Sequence, residues 1–190
     1  MKEINNSPIQ ELTNSTTVSL EDKIYPIGKV NYTTFTKDIL YRSIMMVEAA
    51  PVKLNQRIAT LNEEELELAY REGGWCVRQL VHHLADSHQN MWIRFKHALT
   101  LNNPTIMPYD ENAWATMPDY QSAPISSSLL IFEGVQQRFS ALLKTMSEDD
   151  FNRTYFHPQY NKTITLAEAT QSYAWHGLHH VAQIEGIFKG

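Results

Sequence analysis

The sequence predicts an all-α protein, a four-helix bundle with a long crossover between its second and third helices. Three observations carry that prediction. Four long segments repeat apolar residues at three- and four-residue steps; Gly73-Gly74, a cluster of prolines and capping signals mark the breaks between them; and no Gly/Ser-rich linker divides the chain. With 190 residues, 43% of them hydrophobic and 19% charged, the chain can bury a core without crosslinks.

Residues 1–23 are rich in Asn, Ser, Thr and Glu without a sustained period, so they read as a flexible leader, and residues 24–190 as a single domain. The first helix is expected over Thr33 to Thr60, with Phe35, Ile39, Leu40, Ile44 and Val47 on one face and Leu54, Ile58 and Leu61 continuing it. Pro51 removes a backbone donor and crowds the preceding turn, which predicts a kink rather than a restart. The second helix is expected over Cys76 to Leu99, through Val77, Leu80, Val81, Leu84, Met91, Phe95 and Ala98. Pro104, Pro108, Pro118 and Pro124 make the next stretch a crossover, with one short helix expected around Asp110 to Ala115.

The third helix is expected over Ser126 to Met146, through Leu129, Ile131, Phe132, Val135, Phe139 and Leu143. Ser147 followed by three acidic residues predicts a brief capped helix, and Thr154 to Ile164 a short hairpin. Thr165 and Glu168 have capping-box spacing, opening a fourth helix that runs to about Phe188.

A formal charge of −5 argues against a protein whose main task is to neutralise phosphates. There is no run of 18 apolar residues and no signal-peptide layout at the start, and Cys76 is the single cysteine, so a cytoplasmic protein is expected. The unusual feature is a set of 8 histidines, six of them in two clusters.

On the fourth helix, Leu166, Ala169, Tyr173, His176, His180, Ile184 and Ile187 form one stripe, so two imidazoles face the core. Residues four apart on a helix can converge on one ion, whereas a buried pair without an ion leaves four ring nitrogens to satisfy. His179 and Trp175 project away from that stripe. A third ligand should come from the second helix, where periodicity alone favours His88; His83 lies roughly 110° off the apolar face and His82 nearly opposite it. Asp86 is read chiefly as a surface ion, with a role as acceptor for a ligand histidine as the alternative.

The segments Gly73 to His88 and Tyr173 to Ile184, together with Tyr25-Pro26-Ile27-Gly28 and Pro108-Tyr109-Asp110-Glu111, resemble the DinB superfamily, in particular its YfiT branch. That resemblance implies a four-helix bundle holding one divalent metal ion, zinc or nickel, on three histidines, in proteins described as metal-dependent hydrolases, with some relatives being bacillithiol S-transferases. By position it assigns the ligands to His83, His176 and His180, against the periodicity preference for His88. It also implies a homodimer.

Neutral imidazole ligands leave a divalent ion its full charge, able to lower the pKa of bound water or hold a thiolate. The first expectation is transfer of a low-molecular-weight, bacillithiol-like thiol to an electrophile. Hydrolysis of an amide or ester is the alternative, and a non-catalytic, metal-stabilised stress or interaction protein the third reading. Trp92, Arg94 and Trp114 are candidates to line a pocket and hold an anionic thiol, none of them catalytic. Cys76 is expected to be a packed small residue, and His97 and His157 surface groups.

Overall fold

The computed structural model describes residues 18–189. Residues 1–17 of the expected leader lie outside the described residues. The remainder carries a short helix, α1 (Leu20–Ile24), capped by Ser19, whose Oγ accepts from the Asp22 amide at 3.1 Å. It is followed by α2 (Lys37–Ile58), α3 (Glu63–Leu66), α4 (Val77–Thr100), α5 (Glu111–Trp114), α6 (Asp119–Ser122), α7 (Ile125–Thr145) and α8 (Glu148–Asn152). A hairpin of β1 (Thr154–His157) and β2 (Lys162–Thr165) leads into α9 (Leu166–Ile187). Its antiparallel register pairs Tyr155 with Ile164 and His157 with Lys162.

The four long helices match the four periodic segments to within a few residues, and the capping residues explain the starts. Thr36 accepts from the Ile39 amide, which starts α2 later than its apolar pattern does. At α9 the reciprocal box forms, with Thr165 accepting from the Glu168 amide while the Glu168 carboxylate accepts from the Thr165 amide. α2 continues through Pro51 without restarting. The crossover contains α6 as well as the expected α5, with Tyr120 of α6 buried against the bundle. Ile131, read as part of the apolar stripe of α7, is 39% exposed; it lies one position from Phe132, which takes the core-facing position.

α2 packs against α7 and α9, and α4 packs against the same two helices. The helices consecutive in the chain, α2 and α4, are therefore diagonal, and so are α7 and α9. The core has two apolar halves. One gathers Val47, Met91, Phe95, Phe139 and Leu166, and the other Ala50, Leu54, Leu80, Phe132 and Ile184. Between them lies a polar layer at mid-bundle containing His88, Gln136, His176 and His180.

The segment after α1 is strapped along α9. Gln183 Nε2 donates to the Ile24 carbonyl at 2.9 Å, Trp175 Nε1 to the Gly28 carbonyl at 3.0 Å, and Gln171 bonds both the amide and the carbonyl of Thr33. Gly28 adopts φ +72°, a conformation that costs glycine little. No helix among the described residues is long and apolar enough to cross a membrane.

Gly177 sets the closeness of α9 to α2, since a Cβ built there would meet Ala50 Cβ at 3.0 Å. The Ala50 methyl has no flexible end that could move aside. Replacing Gly177 by Val should therefore destabilise the fold by about 1–3 kcal/mol, a Tm loss of roughly 2–12 °C in thermal unfolding.

Candidate metal centre

α9 places His176 and His180 one turn apart on its inner face, and α4 brings His83 across to meet them. His176 Nε2 lies 3.1 Å from His180 Nε2 and 3.3 Å from His83 Nε2. One ligand atom from each of the three lies within 4.8 Å of the others. Two imidazole nitrogens bound at about 2.0–2.1 Å to one tetrahedral ion lie roughly 3.3 Å apart, so the spacing fits a single divalent cation.

Hydrogen bonding decides which nitrogens are free. Pro51 has no amide to offer the carbonyl four residues before it, and that Val47 carbonyl accepts instead from Gln136 Nε2 at 3.4 Å. The amide of Gln136 thereby turns its Oε1 to His88 Nδ1, 3.1 Å away, and Nδ1 must carry the proton. His88 Nε2 then accepts from His176 Nδ1 at 3.2 Å, which leaves His176 Nε2 a bare lone pair. A shorter relay does the same for His180. Gln183 donates to Ile24, so its Oε1 accepts from His180 Nδ1 at 2.8 Å. Two lone pairs 3.1 Å apart cannot bond one another, whereas a cation between them could be bound by both. His83 Nδ1 is buried without a partner, and among the described residues the one group in reach of its Nε2 with a free lone pair is His176 Nε2, so no carbonyl or carboxylate fixes its tautomer.

Burial keeps the cluster neutral. It pushes His88 down to about 3 and His180 to about 4, and holds His83 and His176 well below the usual imidazole range, where repulsion from the other rings adds to it. All four rings therefore carry lone pairs at neutral pH, as metal ligation requires.

The trio opens onto a cavity of about 460 Å³. Trp75 packs on His83 with ring centroids 4.7 Å apart. Beyond it, the cavity is lined by Ser87 and Arg94 of α4, Tyr109 and Glu111 of the crossover, Tyr155 and His157 of the hairpin, and Tyr173 of α9. Burial raises the pKa of Tyr109, Tyr155 and Tyr173, so these hydroxyls stay protonated and can donate into the cavity.

A model of the DinB superfamily matches residues 46–184, a span that includes all three histidines. The chain belongs to the DinB superfamily. It is 42% identical over 166 residues to a Bacillus subtilis (strain 168) protein named "Putative metal-dependent hydrolase YfiT", covering 87% of this chain and 93% of that one. A protein of Oceanobacillus iheyensis with the same description is 43% identical over 166 residues, covering 87% and 95%. The solved structure of YfiT from Bacillus subtilis, described as having an unusual four-helix bundle topology, superposes with a TM-score of 0.84 at 41% identity, covering 87% of this chain and 95% of that one.

In this DinB bundle His88 does not meet the other three rings at their common point; it bonds the far nitrogen of His176. His82 is buried rather than outward-facing, its Nδ1 2.7 Å from Ser128 Oγ on α7, because α4 is packed on more than one side. His179 does point away from the trio, as its place on the helix requires, yet it is buried by stacking on Trp175 at 4.2 Å. Asp86 is half-buried and accepts from Tyr120 Oη at 2.6 Å, so it anchors α6; the part of second-row acceptor falls to glutamines instead.

Of the three proposed lining residues only Arg94 reaches the cavity. Trp92 lies under Lys96 and Arg138, and Trp114 packs on Tyr109. His157, expected at the surface, is 4% exposed, stacked on Tyr160 and part of the cavity wall, while His97 is exposed as expected. Cys76 precedes α4 with burial raising its thiol pKa, in keeping with a packing role. Sequence reasoning missed Gln136 and Gln183. The signal for Gln136 is a polar residue in register with Phe132, Phe139 and Leu143.

Replacing Gln136 by Leu should leave His88 free to take the other tautomer and weaken zinc affinity about 10–100-fold, measured by competition with a chromophoric chelator. Gln136→Glu, which still accepts from His88 Nδ1, should retain most of it.

Proposed function

We propose that this protein is a divalent-metal-dependent enzyme, its ion held by His83, His176 and His180, that transfers a low-molecular-weight thiol to an electrophilic small molecule. The observation that carries the reading is two imidazole lone pairs fixed toward one point at the wall of a cavity large enough for a small substrate. A zinc or nickel ion bound there would retain its full charge and stabilise a thiolate at neutral pH.

The chain's own residues supply the rest. The Gln136 and Gln183 relays hold the ligand rings, and burial keeps them unprotonated. Trp75 and the hairpin restrict water around the open side, and the protonated tyrosines offer donors to a developing charge on the electrophile. Hydrolysis is the second reading. It is favoured by the description carried by the relatives and by Glu111, a carboxylate in the cavity wall able to serve as a base. A cytoplasmic homodimer belongs to the same proposal, on the single cysteine and the family likeness.

Purified, metal-loaded protein should consume an electrophile such as a chloronitrobenzene only when a thiol is present. Thiol-independent turnover of an ester or amide would replace transfer by hydrolysis. The ligand assignment is checked separately by elemental analysis: His180→Ala should lose stoichiometric metal and melt at lower temperature, whereas His179→Ala should keep its metal. Equal metal content in both variants would refute the assignment.

A further inference from the structure

Arg94 is 8% exposed, and none of the ion pairs among the described residues includes it. Its Nη1 donates to Tyr173 Oη at 2.9 Å and its Nη2 to the Met107 carbonyl at 3.4 Å, while Nε is buried without a partner. Both partners are neutral, so the guanidinium charge is unanswered within the protein. His157, on the wall of the same cavity, also has a buried ring nitrogen without a partner, and burial, with the nearby charge of Arg94 adding to it, disfavours its protonation. The other cation of the lining, Lys162, is already paired with Glu168 at 3.0 Å, and Glu111 is the one carboxylate among the described lining residues.

A buried cation that faces a cavity without a counter-charge is a site for an anion brought by the ligand. We infer that Arg94 binds a carboxylate of the small molecule that occupies the cavity, with Tyr173 and His157 beside it, so that the substrate is an anionic compound spanning from Arg94 to the three histidines. One unpaired cation matches one carboxylate better than a phosphate dianion. The span follows from the helix: His83 and Arg94 lie eleven residues apart on nearly the same face of α4, roughly 16 Å along its axis. The arginine side chain leans back toward the helix start and shortens that gap. Tyr173 links the two ends, bonded to Arg94 and with its ring centroid 6.1 Å from that of His176.

The substrate class rests on the proposed reaction, but the subsite can be tested apart from it. Binding to the zinc-loaded protein is measured by calorimetry for two pairs of probes, hexanoate against hexanamide and 6-mercaptohexanoate against 6-mercaptohexanamide. The thiol-free pair, measured also on the metal-free protein so that zinc cannot take the carboxylate, reads the arginine: hexanoate should bind about tenfold tighter than its amide, the scale of one charge-assisted bond. Arg94→Gln should abolish that preference and Arg94→Lys retain part of it, with circular dichroism confirming that both variants are folded. Hexanoate and hexanamide binding alike, or an unchanged preference in Arg94→Gln, overturns the subsite. The thiol pair reads the ion: if the sulfur adds no affinity while the carboxylate preference persists, the metal-thiol reading fails and the subsite stands.

Discussion

The structure depends on a chain of hydrogen bonds that crosses the middle of the bundle, from the Val47 carbonyl through Gln136 and His88 to His176. It starts where Pro51 withdraws a helix amide, and it ends at a nitrogen with no proton. Each link fixes the next because an amide has distinct ends and a neutral imidazole has one donor and one acceptor. A core filled with apolar side chains at these positions would avoid burying so many polar atoms, each of which costs about 1–3 kcal/mol when left unpaired. That chain of hydrogen bonds is tolerated because each of its internal links is paired, and its free end is His176 Nε2, within the histidine trio. The two apolar halves on either side exclude the water that would otherwise scramble the tautomers.

The same constraint explains the electrostatics of the site. Burial disfavours the charged form of each ring, and rings crowded at 3.1–3.3 Å could not be protonated together without repelling. The cluster thus has low affinity for protons and a geometry suited to a divalent ion. Gly177 contributes by leaving room at this layer, since a Cβ there would press on Ala50 at 3.0 Å and reach Gln136 Nε2, the donor to Val47, at 3.6 Å.

Fold and site were legible to different depths. The four helices show in the sequence because each has one dominant apolar stripe, and α9 also announces its start through Thr165 and Glu168. His176 and His180 show for the same reason, being four apart within such a stripe. His83 does not. α4 buries residues from Val77 to Ala98 on several faces, so its apolar centre points to His88 and a residue on the flank can still face the bundle interior. Resemblance to the family, not periodicity, singled out His83. The glutamines escaped because a lone polar residue in a helix has no local signature; its meaning comes from a carbonyl on another helix. His157 escaped because its burial depends on the hairpin folding over the bundle end, where alternate residues Tyr155 and His157 turn inward.

The histidine trio and the cavity are built from different parts of the chain, and this divides what each can vary. The three histidines and their glutamine partners, apart from the Ile24 carbonyl, stand on long helices, where a shift of one side chain is resisted by the packing of both core halves. Much of the far wall stands on connections: Tyr32 on the strap, Tyr109 and Glu111 on the crossover, His157 and Tyr160 on and beside the hairpin. Connections accept substitution and insertion more readily than packed helices. Arg94 is the exception, a specificity group held on a helix and braced by Tyr173. A scaffold arranged this way would keep the proposed metal site constant while the connections reshape the space beside it. Arg94 then marks the one feature of that ligand, its negative charge, that the helices themselves require.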